Sequence, residues 1–596
     1  MHSAIGTTYS LDLTALLSVP LALTYYDWED ERGRPSADPV ALLEALRQHA
    51  GEVTVFCQAG QIHVPRRNKL LYGYVEESVV EVTPPRENGV FHPKVWVLRF
   101  LTGEQRVLYR LICMSRNLTF DRSWDTMLVL DGQLMERRNA YAANHPLADF
   151  LAALPSLALR EIPEAARARV RRMENEIRRV RWALPEGFGG VLFHPLGIAG
   201  YRRSPFKGRI DRLLVVSPFL SPKRLRRCSA LGENNVLISR LESLAAVDSD
   251  ALEGFAHTYF LNPAASMPEQ TADGEDEGQV EDVLNGLHAK LFVAEAGWDA
   301  RVWVGSANAT DAAFGANVEF LTELVGRRSQ CGIEALLGQD GNSAGFRRLL
   351  QQYTPDDETP DMDTVQQELE GRVNETRAAL STAGLLIQVE PTGKEQEFRM
   401  ALEAPEGYAW KGQTDLTVRC WPVTLQEGNA KPLVSDADCL VRFGPIACES
   451  LTGFFAFEVK ASSAGGQASA RFVLNLPLRG APESRRQRIL RALLRNRRDV
   501  LRFLLFLLAE ASSGQVGGFL SHAAGSGPDS EGASFLDEAF LFESLLRTLD
   551  RAPEKLRDVA RLVDELKTTP DGVDLLPDGF DAIWAPIRAA WQEVGD

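Results

Sequence analysis

The sequence predicts an α/β protein: two mutually similar α/β halves, then a small β-sandwich, then a helical C-terminal domain. Strand-like and helix-like segments alternate twice over residues 1–355. The polar skeleton H-x-K, strand, strand, S-x-N occurs once in each of those repeats. Beyond residue 385 the pattern turns to short alternating strands, and beyond 482 to helical periodicity.

The first half spans residues 1–160. Its run Leu11–Leu23 is mostly apolar, yet no basic segment precedes it, Pro20 interrupts it and it is too short for a bilayer; its later part, Leu21–Tyr26, reads as a buried strand. A helix near Pro39–His49 and strands at Val53–Cys57 and Val79–Val82 continue a parallel α/β pattern. Strands at Lys94–Phe100, Val107–Met114 and Thr126–Leu130 follow, with a helix at Pro146–Leu154.

Residues 161–355 open with strong helix formers and a basic face over Pro163–Pro185, a connecting helix. The pattern then repeats in strands at Arg212–Ser217, Asn235–Ile238, Thr258–Leu261, Lys290–Ala294, Ala300–Gly305 and Phe320–Val325. Pro263–Asp282, rich in Pro, Gly and acids, has the composition of a mobile solvated loop. An acidic stretch, Thr354–Asp363, leads into a helix near Thr364–Ala383, the linker-helix region of residues 356–384. Six short segments within 385–481 (Leu386–Val389, Glu397–Ala401, Asp415–Cys420, Cys439–Phe443, Gly453–Val459, Ala470–Leu476) have the spacing of a sandwich. Residues 482–596 are helical in period around a Gly/Ser loop at Ser512–Ser534.

Bulk composition narrows the function. A chain of 596 residues needs several cores. Its 7 cysteines are odd in number and form no C-x-x-C, which argues against a disulfide framework and a cysteine zinc site and points to a reducing cytoplasm. No segment reaches roughly 18 uninterrupted apolar residues, so no membrane span is expected. The net charge of −16 repels polyanions at long range, leaving local basic patches to attract any nucleic acid.

The chemistry lies in two stretches. Residues 91–125 contain His92, Lys94, Ser115, Asn117 and Asp125; residues 287–319 contain His288, Lys290, Ser306, Asn308 and Glu319. With 9 His and 11 Lys, chance supplies about 0.2 H-x-K triplets in such a chain. Two occur, each followed at similar distance by S-x-N. Side chains alternate along a strand, so H-x-K places an imidazole and an ammonium on one face. Ser and Asn at the end of an antiparallel neighbour would join them, and Lys plus Asn could hold two phosphate oxygens beneath the imidazole.

These residues resemble the H-x-K…S-x-N signature of the phospholipase D superfamily, over roughly residues 1–350. The resemblance implies halves packed about a pseudo-twofold axis, a phosphohistidine intermediate, and neither metal nor other cofactor. Carried over, His92 attacks phosphorus while His288 protonates the leaving oxygen and then activates water. Lys94, Lys290, Asn117 and Asn308 hold phosphate, and Glu319 and Asp125 orient the imidazoles. Ser115 and Ser306 either contact substrate or cap turns. The fuller H-x-K-x4-D form expects Asp where Arg99 and Glu295 stand, and Met114 replaces the glycine found at Gly305. Absence of that Asp looks like the tyrosyl-DNA phosphodiesterases and related nucleases, which moves the expected substrate from lipid to nucleic acid, DNA ahead of RNA. Members with added C-terminal domains imply a bacterial anti-phage defence or restriction setting.

Basic clusters at Arg66–Lys69, Arg202–Arg212, Lys223–Arg227 and Arg485–Arg502 are either a substrate groove or solvated surface. Another F-H-P, Phe193–Pro195, lacks the lysine and reads as structural. Two further functions stay open: a phospholipid or small-phosphodiester hydrolase or transferase, and a non-catalytic scaffold subunit of a nucleic-acid-processing complex. Residues 385–596 carry no motif tied to chemistry and are expected to dock protein partners, gate the groove or mediate assembly.

Overall fold

The computed structural model describes residues 1–24, 46–262, 286–338, 345–354, 364–405, 415–434, 439–508, 541–549 and 553–594, apart from single positions and short gaps inside these ranges. Its first strands are β1 (Ser3–Thr8), β2 (Val53–Gln58), β3 (Val79–Val82), β4 (Val95–Leu101), β5 (Val107–Met114), β6 (Ser123–Trp124), β7 (Met127–Leu134) and β8 (Val180–Trp182). All but β6 join one sheet, in the order β3-β2-β1-β4-β5-β7-β8. Next come β9 (Phe188–Leu196), β10 (Arg212–Val216), β11 (Asn235–Ser239), β12 (Phe255–Leu261), β13 (Gly286–Leu287), β14 (Leu291–Ala296), β15 (Asp299–Gly305), β16 (Glu319–Arg327) and β17 (Leu350–Gln352). All but β13 join a second sheet, β17-β12-β11-β10-β14-β15-β16-β9.

The two sheets repeat one topology. In the first, β1, β2 and β3 run parallel and β4, β5 and β7 antiparallel beside β1. In the second, β10, β11 and β12 are parallel and β14, β15 and β16 antiparallel beside β10. Strands buried on both faces read as continuous apolar runs, and Leu213–Val216 and Val236–Ile238 are such runs. One core takes side chains from both sheets, among them Val97, Leu111 and Leu130 from the first and Val216, Val293 and Phe320 from the second. The helices His145–Ala153 and Glu164–Ile177 pack into it through Phe150 and Met173.

The outer faces are covered differently. Behind the second sheet the local crossovers suffice: Leu225 and Cys228 of helix Pro222–Ser229 join Leu213, Val215 and Trp303. Behind the first sheet Val55, Cys57 and Trp96 share a core with the C-terminal region. There β18 (Leu386–Pro391), β19 (Glu397–Glu403), β20 (Leu416–Pro422), β21 (Lys431–Pro432), β22 (Cys439–Ala447), β23 (Phe454–Ser463), β24 (Gly466–Asn475) and β25 (Leu478–Arg479) form two four-stranded sheets. Phe443 of one sheet meets Phe455 of the other, centroids 5.8 Å apart. The helix Leu556–Leu566 buries Leu556, Val559, Leu562, Val563 and Leu566, the stripe of an amphipathic helix, in the same core.

One buried ion pair pins this region to the first half. Arg485 donates to both oxygens of Glu76 at 2.6 and 3.1 Å, and Thr452 Oγ1 and the Gly453 N–H donate to Glu76 as well. Glu76→Ala would leave the Arg485 guanidinium buried without its carboxylate. The expected result is a loss of about 3–5 kcal/mol in urea unfolding; a loss under about 1 kcal/mol would show that the contact does not hold the two parts together.

Two expectations fail locally, and one strand went unread. Leu21–Thr24 are not strand but the end of helix Leu13–Thr24, which Asp12 caps by accepting the Thr14 and Ala15 N–H groups at 2.6 and 3.2 Å. The strand that fills the sheet centre is Ser3–Thr8, whose SAIGTT sequence is too small and polar to read as one, though all six residues are buried. The connecting helix stops at Ile177, and Val180 and Trp182 then face inward with Arg181 outward, so β8 belongs to the first sheet. Tyr25–Tyr26, most of Pro39–His49, Pro263–Asp282, Pro355–Asp363 and Ser512–Ser534 lie outside the described residues. Among the described residues no helix is long and apolar enough to cross a membrane.

Candidate active site

His92 and Lys94 sit on the extended segment leading into β4, and His288 and Lys290 on the one leading into β14. Each segment is stitched to the opposite half. The His92 N–H donates to Val318 O at 2.9 Å beside a bridge between Phe91 and Val318. The His288 N–H donates to Trp124 O at 2.9 Å, where β13 pairs with β6. The residue after each accepting carbonyl is an acid, so the acids cross over. Glu319 Oε2 lies 2.9 Å from His92 Nδ1, and Asp125 Oδ1 lies 2.8 Å from His288 Nδ1. An ionised carboxylate only accepts, so each Nδ1 carries the proton and each Nε2 is left with its lone pair.

The carboxylates are held in turn. Asp125 accepts from Ser115 Oγ at 2.7 Å and Ser123 Oγ at 2.9 Å. Glu319 accepts from Ser306 Oγ and from Asn317 Nδ2, the latter at 3.1 Å. Ser115 and Ser306 are fully buried, and their oxygens also accept the Thr126 and Phe320 N–H groups at 2.8 and 3.0 Å. Hydroxyls so committed do not fit the expected substrate contact; they position the acids.

Lys94 Nζ donates to His92 O at 3.0 Å and Lys290 Nζ to His288 O at 2.8 Å, with the side chains 1 % and 0 % exposed. Asn117 Oδ1 lies 3.5 Å from the Ser10 N–H, whereas the buried Asn308 Oδ1 has no partner. The Tyr9 ring, 5.3 Å from that of His92, flanks the first half-site.

Burial dominates the electrostatics. It pulls both imidazoles down to about 4 against the pull of Glu319 and Asp125, so both rings are neutral near pH 7. It also lowers Lys94 to about 7, opposed by the two carboxylates, and drives Lys290, which faces Lys94, well below the ordinary lysine value. Burial pushes Asp125 up, but hydrogen bonds from His288, Ser115 and Ser123 prevail and hold it at about 2. Two neutral bases thus lie with two destabilised ammonium groups whose charge a bound anion would stabilise.

The remaining candidates have other work. Arg99 makes a two-pronged pair with Glu176 at 2.8 and 3.1 Å, and Glu295 accepts the Ile333 N–H at 2.8 Å, so both tie strands to neighbouring helices. Of the basic clusters, Arg224 lies 3.6 Å from the Phe314 ring centroid, Arg226 pairs with Asp250, Arg212 with Glu334 and Arg485 with Glu76. His194 pairs with Glu323 at 2.6 Å on the outer face of the second sheet. Sequence reading missed Tyr9, Ser123, Asn317 and Arg240 near the site, since none belongs to the repeated skeleton. Among the described residues no group of three or more His, Cys, Asp or Glu could hold a metal ion.

No family model and no curated relative matches the sequence. Among solved structures, one of a mutant yeast tyrosyl-DNA phosphodiesterase is similar with a TM-score of 0.31 and 10 % identity, covering 55 % of this chain and 82 % of that one.

Proposed function

We propose that this chain is a phosphodiesterase of the phospholipase D type acting on nucleic acid, its halves related by a pseudo-twofold axis through the site. One observation carries the reading: each imidazole has its Nδ1 on a carboxylate of the opposite half, with a buried lysine two residues along. Nucleophilic and acid–base work needs such tautomer-fixed rings, and a phosphoryl group needs such cations.

In the first step His92 Nε2 attacks phosphorus, forming a P–N bond as the bond to the leaving oxygen breaks, and His288 Nε2–H gives that oxygen its proton. In the second, His288 takes a proton from water, whose oxygen attacks phosphorus and expels His92 Nε2. A phosphate monoester, neutral His92 and protonated His288 result, which is the state that began the cycle. Lys94 and Lys290 neutralise the non-bridging oxygens, Asn117 and Asn308 donate hydrogen bonds to them through Nδ2, and the chemistry calls on no metal.

The test is purified protein in EDTA with labelled single- and double-stranded DNA and RNA, phospholipid micelles and bis(p-nitrophenyl) phosphate, with mass spectrometry of acid-labile phosphohistidine. Nucleic-acid cleavage with a labelled histidine supports the reading; turnover of micelles alone, or of nothing, overturns it. The pH dependence is a second expectation. The productive free enzyme has His92 neutral, His288 protonated and Lys94 charged. With both imidazoles near 4 and Lys94 near 7, log kcat/KM falls with pH above 4 and falls more steeply above 7. A profile flat across that range contradicts the assignment.

A further inference from the structure

The two half-sites differ at one matched position. Gln58 ends β2, and its Oε1 accepts the N–H of Phe91, the residue before His92, at 2.7 Å. Arg240 directly follows β11, and its Nε donates to the carbonyl of Leu287, the residue before His288, at 2.6 Å. Because β2 and β11 hold the same place in the repeated topology, Arg240 stands where Gln58 stands. One half-site therefore has a neutral amide and the other a guanidinium. Arg240 Nη2 is buried and has no hydrogen-bond partner, although buried polar groups are as a rule paired. Its guanidinium lies 5.3 Å from the centroid of the Phe219 ring, which is 45 % exposed. Arg240 also bears on the reaction centre electrostatically: burial lowers its own pKa, Asp125 opposes that, and its charge helps to depress Lys290.

Resting on the phosphodiesterase reading of this site, we propose that Arg240 and Phe219 form a nucleotide subsite on the His288 side of the scissile phosphate. Nη2 takes an oxygen of the adjoining backbone phosphate, and the Phe219 ring stacks on a base of a single strand. A planar cation beside an exposed aromatic ring matches the phosphate and base of one nucleotide. The first half-site, with Gln58, has no such charge at the matching position, so the strand binds with a fixed polarity. A small diester without a flanking phosphate makes no contact with Arg240, whose bond to Leu287 and charge beside Lys290 act on both substrates alike.

Binding is read by fluorescence anisotropy of a labelled single-stranded oligonucleotide on full-length protein carrying His92→Ala, so that no turnover intervenes. Arg240→Gln, which copies the first half, is expected to weaken binding about tenfold and to flatten the slope of log Kd against log salt by about 0.7, one phosphate contact on a single strand. Phe219→Ala, at an exposed position that should not disturb folding, is expected to weaken binding about tenfold with the salt slope unchanged. In the His92 background of the wild type, kcat/KM should fall at least tenfold more on the oligonucleotide than on bis(p-nitrophenyl) phosphate for Arg240→Gln. Parental affinity and salt slope in Arg240→Gln overturn the subsite, as do equal losses on both substrates. Failure of the phosphodiesterase reading shows separately, as a wild type that hydrolyses neither diester while its oligonucleotide binding still answers to Arg240 and Phe219.

Discussion

His92→Ala is expected to lower turnover of a phosphodiester by about 10^4-fold, and His288→Ala by about 10^2- to 10^4-fold, with the double variant little worse than the first. The losses overlap because the two rings serve one reaction coordinate. The leaving group separates their roles. p-Nitrophenolate departs without a proton, so with bis(p-nitrophenyl) phosphate the first step in His288→Ala survives while the second, which needs water activated, does not. His288→Ala should then release one equivalent of p-nitrophenol in a burst and accumulate phosphohistidine on His92, whereas His92→Ala shows neither. A burst in His92→Ala instead exchanges the roles of the two residues. Full activity in both variants removes the two-histidine mechanism altogether and leaves the scaffold function. The crossed carboxylates add a gentler version of the same test, since Glu319→Gln keeps the shape around His92 but can present an N–H to Nδ1 and so favour the wrong tautomer.

What could be read in the sequence follows from which physics is local. Apolar runs, period-2 burial and the H-x-K spacing are local, so β2 and β3 as runs, β5 by alternation, and most strands of the second half lie within a residue or two of where the pattern put them. Ser3–Thr8 escaped because a central strand can be built of Ser, Gly and Thr when neighbours bury it: Trp96 pairs with Gly6 across the strands and covers it, and a Cβ there would meet the ring at 2.8 Å. The acids were visible as candidates but their partners were not. Asp125 lies 33 residues after His92 and yet serves His288, because the stitching of Leu287 to Trp124 and Phe91 to Val318 exchanges the partners. Arg240 was invisible for the same reason. Its meaning comes only from being superposed on Gln58, a comparison that needs the strand order of both sheets.

The lysines give the second large effect, and its two readouts have opposite signs. Lys94→Met and Lys290→Met should each reduce kcat/KM by about 10^3-fold, the scale on which removal of a preorganised charge-stabilising donor acts. The same substitutions should make the protein more stable by about 1–3 kcal/mol, because an apolar chain of similar length replaces an ammonium that the fold buries against its preference. The bond from each Nζ to a histidine carbonyl is lost, yet that is one hydrogen bond against the desolvation of a charge. The pH dependence fixes the sign. Lys94 titrates at about 7 in the folded protein and at 10.5 when unfolded, so between those values the unfolded chain binds more protons and wild-type stability rises with pH. The penalty is complete below pH 7 and relieved as pH climbs, so the gap between Lys94→Met and wild type should narrow from pH 7 to 10 in denaturant titrations. A stabilised, inactive variant identifies a cation kept for an anionic substrate. A destabilised one, with the gap indifferent to pH, would mean that the lysine is there to hold the backbone of its histidine, and the site would need another source of charge for phosphate.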